Sequence, residues 1–367
     1  MRIKPWVNQL SVYEPGRPIE EVAREFGIER PEEIVKLASN ENALGPSPRA
    51  VRAMREAAGR MHLYPDGGSY HLRRALARRL DVSPDQIAPG HGSNEILALL
   101  GHVFLHAGTN IVMADRAFAV YRLVAALYEA DVVAVPMRDF THDLDAMAAA
   151  IGPATRLVFV GNPNNPTGTM VDGPAIDRFM ARVPDDVAVV FDEAYVELLP
   201  PERQPDTLRY VREGRSVFVL RTFSKTYGLA GLRVGYAVAR ADAIAALNRV
   251  RQPFNVNAMA QAAALAALED EAHVERTRRM VARGLRQLER AFDGMGLERV
   301  PSVANFILVK TGSGRVVFEA LQRRGVIVRP MDAYGLPDHV RVSVGTAREN
   351  RRFIEALRAV RAEAGAA

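Results

Sequence analysis

The chain has 367 residues and no cysteine, which excludes disulfides, thiolate catalysis and Cys-based zinc or iron–sulfur sites. Its 48 Lys+Arg against 43 Asp+Glu give a net charge of +5, but the arginines are scattered and carry no nucleic-acid motif, so no nucleic-acid partner is expected. A hydrophobic content of 48% is ordinary for a globular protein, and the length suits one large domain with a smaller one.

Met1–Trp6 lacks the apolar core of a signal peptide, and no apolar run is long enough to span a membrane. A cytoplasmic protein is expected. The first 40 or so residues are irregular and Pro-rich, with a helix near Ile19–Phe26, and should wrap onto the smaller unit. Leu72–Leu80 is basic but spaces its apolar residues as a helix does, so it reads as a solvated amphipathic face. Gly90-His91-Gly92-Ser93-Asn94-Glu95 then precedes an apolar helix over Glu95–Leu105. Glycines and small polar residues at a helix start can cradle an anion, although a plain cap fits equally well.

Short apolar, β-branched runs follow at Ile111–Met113, Val132–Val135, Leu157–Val160, Val187–Phe191, Val217–Leu220 and Val234–Val238. Helical stretches such as Ala175–Arg182 lie between several of them. This alternation predicts an α/β fold whose mostly parallel sheet is covered by helices on both faces. Long Ala-rich helical sequence runs from about Ala258 to Phe292. The tail predicts a small α+β unit: strands at Asn305–Val309, Val326–Arg329 and Val340–Val344, and helices near Val316–Arg324 and Asn350–Val360. The expected division is 45–255 for a large cofactor-binding domain, with 1–44 and 256–367 forming the arm, the linking helices and the small domain.

Only four lysines occur, Lys4, Lys36, Lys225 and Lys310. Where charge alone is wanted this chain uses Arg, and only an amine can lose its proton and attack a carbonyl. Lys225 follows an apolar strand, the setting of a buried reactive lysine. Ligands of open parallel sheets bind beyond the carboxyl ends of the strands. There, three successive strands run into Asn162-Pro163-Asn164-Asn165-Pro166-Thr167-Gly168, into Asp192-Glu193-Ala194-Tyr195, and into Thr222, Ser224 and Lys225. Each piece has a bland reading, as turn, cap or core; their convergence is the signal. Arg233 returns to the same region as a phosphate ligand or an ordinary surface arginine. The eight histidines form no metal motif, and no metal site is expected. An amine, an acid, a phenol, an amide and an anion cradle together describe a pyridoxal 5′-phosphate site.

Ser224–Tyr236, Asn162–Gly168 and Asp192–Tyr195 resemble the motifs of the fold-type-I pyridoxal-phosphate aminotransferases, in the same order. Leu37–Asn42, Tyr64–Gly67, Pro253–Asn257 and Arg341–Thr346 look, more narrowly, like those of the histidinol-phosphate aminotransferases. The resemblance implies that Lys225 bonds the cofactor aldehyde and later moves a proton. It implies that Asp192 pairs with the ring nitrogen, and that Asn165 and Tyr195 bond the ring hydroxyl. Ser93, Asn94, Thr222, Ser224 and Arg233 would hold the phosphate, and Phe118 would stack on the ring. Tyr64 would reach the cofactor phosphate of a partner subunit, which implies a homodimer with shared sites. Arg341, Arg329, Tyr13 and Asn42 would face the substrate. Aromatic amino-acid aminotransferases and a decarboxylase of the same fold are the competing readings.

Overall fold

The computed structural model of the protein describes residues 1–10 and 16–366. Among the described residues, thirteen strands run in chain order: β1 (Val35–Lys36), β2 (Ile87–Gly90), β3 (Asn110–Ala114), β4 (Asp131–Val135), β5 (Thr155–Gly161), β6 (Ala188–Asp192), β7 (Val217–Thr222), β8 (Gly235–Val238), β9 (Arg299–Val300), β10 (Phe306–Lys310), β11 (Val326–Ile327), β12 (Arg329–Pro330) and β13 (His339–Ser343).

Seven of them form one sheet in the order β2-β8-β7-β6-β5-β3-β4. The neighbours from β7 to β4 are parallel, and β8 runs antiparallel to both β7 and β2. The apolar runs explain the burial. Every residue of β6 and β7 is buried, as a strand covered on both faces requires. Successive side chains point to opposite faces. Val189, Phe191, Val217 and Val219 enter one core with Leu72, Leu76 and Phe179. Ala188, Val190, Phe218 and Leu220 enter another with Ile96, Leu97 and Phe159. The expected helix-covered α/β sheet is therefore present.

Four strands form a second, antiparallel sheet in the order β12-β13-β10-β9. Its core joins Ile307, Val342 and Phe353 to Val22, Ile34 and Leu37 of the N-terminal arm. The arm also adds β1 in parallel to β11. The helix expected near Ile19–Phe26 has those bounds.

Three details differ from the sequence expectation. Strand β2 was not foreseen, because Pro89 breaks the pattern; it lies at the sheet edge, where a missing N–H is tolerated. The strand expected over Val326–Arg329 divides at Val328, because β11 pairs with β1 while β12 pairs with β13. The long helix expected from Ala258 breaks into Ala258–Leu268 and Glu271–Asp293, where the Asp270 side chain caps the second helix by accepting from the His273 N–H at 3.1 Å. No helix of the described residues is long and apolar enough to cross a membrane.

Candidate functional site

A cleft of about 270 Å³ opens at the carboxyl ends of β5, β6 and β7. It gathers Ser93, Asn94, Phe118, Asn165, Asp192, Tyr195, Thr222, Ser224, Lys225, Arg233, Arg329 and Arg341. The in-register pairing of Gly161 with Asp192, and of Asp192 with Leu220, brings the three strand ends side by side.

Lys225 lies in the turn after β7. Its Nζ donates to the Ser39 carbonyl at 3.0 Å and sits 5.7 Å from the Tyr195 ring centre. Desolvation, with the cations Arg341 and Arg233 nearby, pulls its amine down to about 8, while Glu41 opposes the shift. A useful fraction is therefore neutral near pH 7, as a nucleophile or base requires.

Asp192 ends β6. Burial pushes its carboxyl up to about 6, against the lowering effect of the Tyr121 hydroxyl that donates to Oδ2 at 2.8 Å. It is still mostly an anion at pH 7, held in a dry setting where it can pair strongly with a ligand N–H. Burial pushes the Tyr195 hydroxyl up to about 12, so it keeps its hydrogen.

At the other end of the cleft, the helix Gly92–Phe104 begins beside Arg233. Gly92 has φ +71°, and a Cβ built on it would lie 2.5 Å from an Arg233 guanidinium nitrogen. A Cβ on Gly235 would lie 2.6 Å from the Ser93 N. Both positions need glycine for this close approach. The Arg233 guanidinium donates to Ser224 Oγ at 3.3 Å and to the Ala230 carbonyl at 2.9 Å, and the Thr222 and Ser224 hydroxyls are 3.0 Å apart. A helix start, hydroxyls and a guanidinium make a site for a phosphate. Together with the amine and the carboxylate, this donor set fits pyridoxal 5′-phosphate.

The small sheet contributes the remaining cations. Arg341 on β13 donates to Asn165 Oδ1 and, at 2.7 Å, to the Ala38 carbonyl. Arg329 on β12 is its direct cross-strand partner, so two guanidinium groups meet at one side of the cleft.

Two residues named from the sequence do not line this cleft. Asn42 does not line the cleft: its amide donates to the Thr226 carbonyl at 2.9 Å and to Thr277 Oγ1 at 3.0 Å. These bonds tie down the loop after Lys225. Tyr64 is 83% exposed and stacks on Phe254 at 4.6 Å, away from its own chain's cleft. Tyr13 lies outside the described residues.

Two residues were missed. Tyr121, which bonds Asp192, reads in the sequence as one more large residue of the apolar helix Val120–Leu127 and stacks on Phe159 at 4.6 Å. Asn40 donates to the Tyr195 hydroxyl at 3.0 Å. Its φ of +55° is a signal, but one that sequence does not display.

The family model "Aminotransferase class I and II" matches residues 32–357. A histidinol-phosphate aminotransferase of Akkermansia muciniphila is 52% identical over 98% of this chain and 100% of its own. The crystal structure of the Sinorhizobium meliloti histidinol-phosphate aminotransferase, in complex with pyridoxal-5′-phosphate, is 30% identical. It superposes with a TM-score of 0.89 over 98% of this chain and 97% of that one. A double mutant of the Thermus thermophilus aspartate aminotransferase, 24% identical over 98% of this chain and 100% of that one, shares the fold with a TM-score of 0.84. By sequence, by fold and by the groups in its cleft, the chain belongs to the class I and II aminotransferases, on the branch of the histidinol-phosphate aminotransferases.

Proposed function

We propose that the protein is a pyridoxal-phosphate-dependent transaminase that interconverts histidinol phosphate and 2-oxoglutarate with imidazole acetol phosphate and glutamate, a step of histidine biosynthesis. The observation that carries this reading is a depressed lysine amine and a buried carboxylate sharing one cleft with a helix-start anion cradle. The near-full-length likeness to histidinol-phosphate aminotransferases supports the choice of substrate.

When bound, the cofactor supplies an aldehyde carbon that takes the amino group and a ring that draws electrons from the substrate Cα. The protein groups do the rest. Lys225 Nζ would hold that aldehyde and, as a free amine, would carry the substrate Cα proton. Asp192 keeps the ring nitrogen protonated. Tyr195 and Asn165 would hydrogen-bond the ring oxygen, and Phe118 would lie against the ring. Ser93, Asn94, Thr222, Ser224 and Arg233 grip the phosphate. Arg341 and Arg329 take the anionic end of each substrate, because a guanidinium binds carboxylate and phosphate by the same paired N–H contacts. The division into 45–255 and the two flanking parts is kept as the working domain assignment.

A homodimer is also proposed. Tyr64, Phe254, Met61 and Leu63 are exposed, and an aromatic pair flanked by aliphatic side chains suits burial against a second copy. Tyr64 then reaches the partner's cofactor phosphate.

The test is a panel of keto acceptors with glutamate as donor. Imidazole acetol phosphate should give the highest kcat/KM. A preference for phenylpyruvate would identify an aromatic amino-acid aminotransferase, and release of carbon dioxide without amino transfer would identify a decarboxylase.

A further inference from the structure

Asn40 lies between the cleft and the small sheet and is 1% exposed. Its φ of +55° falls in a region that few side chains other than Asn enter. Four hydrogen bonds hold it. Nδ2 donates to the Tyr195 hydroxyl at 3.0 Å, and Oδ1 accepts from the Ser343 hydroxyl at 3.1 Å. The Asn40 N–H donates to the same Ser343 oxygen at 2.8 Å, and Asn305 Nδ2 donates to the Asn40 carbonyl at 2.9 Å.

This network fixes which way round the amide sits. If the amide were turned over, the Ser343 oxygen would accept from both N–H groups. The Ser343 hydrogen would then lose the acceptor it has here, a costly outcome for a buried hydroxyl. In the observed sense, every polar group of Asn40 and Ser343 is used. The Tyr195 oxygen therefore receives a hydrogen from Asn40 and keeps its own hydrogen unspent. Tyr195 lines the cleft, so that hydrogen is available to an acceptor bound there.

We propose that Asn40 is a positioning residue that directs the Tyr195 hydroxyl hydrogen onto the ring oxygen of bound pyridoxal phosphate, and that Ser343 locks Asn40 in that sense. The inference rests on the cofactor reading above. Ser343 is two residues from Arg341 on β13, so both side chains leave the same face of the strand. One strand thus presents a substrate-side cation and steadies a cofactor-side donor.

Asn40→Asp keeps the shape but replaces the donating NH2 with an acceptor. Tyr195 then spends its hydrogen on the new carboxyl group, and the cofactor's ring oxygen loses a donor. The pH midpoint of the cofactor's visible absorbance change should rise by about one unit, the scale of one hydrogen bond to a charged acceptor. Ser343→Ala should move it in the same direction. In a Tyr195→Phe background, Asn40→Asp should move it clearly less, leaving only the effect of the added carboxylate charge. A merely structural role for Asn40 would change the melting temperature and leave the midpoint alone.

An unchanged midpoint in Asn40→Asp, or an equal shift with and without the Tyr195 hydroxyl, overturns the proposal. If Asn40→Asp does not fold, an unchanged midpoint in Ser343→Ala overturns it. A parent protein that gains no visible band with pyridoxal phosphate overturns the cofactor reading itself, and the inference falls with it.

Discussion

Lys225 is the one lysine in the cleft, among at least three arginines that line the same space. The cations there have divided tasks: the arginines hold anions, and the amine can change its protonation state. Lys225→Arg should keep the charge and abolish turnover, together with the visible band of bound cofactor; near-parental activity would refute the assigned role. The depressed amine also sets a pH dependence. Below about 8 the amine is mostly protonated, and each unit of rising pH frees about tenfold more of it. Capture of pyridoxal phosphate by cofactor-free protein should accelerate with pH and level off above about 8, as followed by stopped-flow absorbance. A rate that climbs unbroken to pH 10 would mean an ordinary, solvated lysine. At this scale the sequence was legible wherever a residue type has few other uses. Lys225 stood out for that reason. Tyr121 and Asn40 did not, because a tyrosine in an apolar helix and an asparagine in a loop are ordinary until their partners are known.

Among the elements, the cofactor end of the cleft depends on glycines that let backbone and side chains come close. Gly92 is the sharpest case: its φ is +71°, and an added methyl meets Arg233. Gly92→Ala should weaken pyridoxal-phosphate binding several-fold, because the added methyl pushes the Arg233 guanidinium away from the phosphate site; the left-handed strain of Ala, about 1–2 kcal/mol, lowers fold stability instead. Equilibrium titration of cofactor-free protein measures this, and unaltered affinity would show that Arg233 can move aside freely. The sheet strands were legible because burial on both faces leaves an unbroken apolar run. The departures came where the local pattern was weak. Pro89 hid an edge strand, and Val328 lies where one apolar run serves two different partners.

For the whole molecule, an exposed aromatic pair on one side is the clearest sign of an unmet partner. Phe254→Glu should raise the dissociation constant of the proposed dimer at least about tenfold, because a desolvated carboxylate without a partner costs more than about 1.4 kcal/mol. Sedimentation velocity reads the outcome directly, and an undisturbed dimer would locate the interface elsewhere. In the sequence only the Tyr64–Gly67 resemblance pointed to such a surface; nothing local marked Phe254, whose exposure shows only in the fold.

Within one chain, the groups proposed to hold that chain's own cofactor lie between Ser93 and Arg233, whereas Arg329 and Arg341 come from the second sheet near the end of the chain. Inheritance can act on these two stretches separately. Substitutions around Arg329 and Arg341 can redirect the enzyme toward a new acceptor while the cofactor groups stay intact, provided that Ser343 and its bond to Asn40 are kept. An ancestral chain of this design could diversify its chemistry of choice without passing through descendants that had lost the ability to react at all.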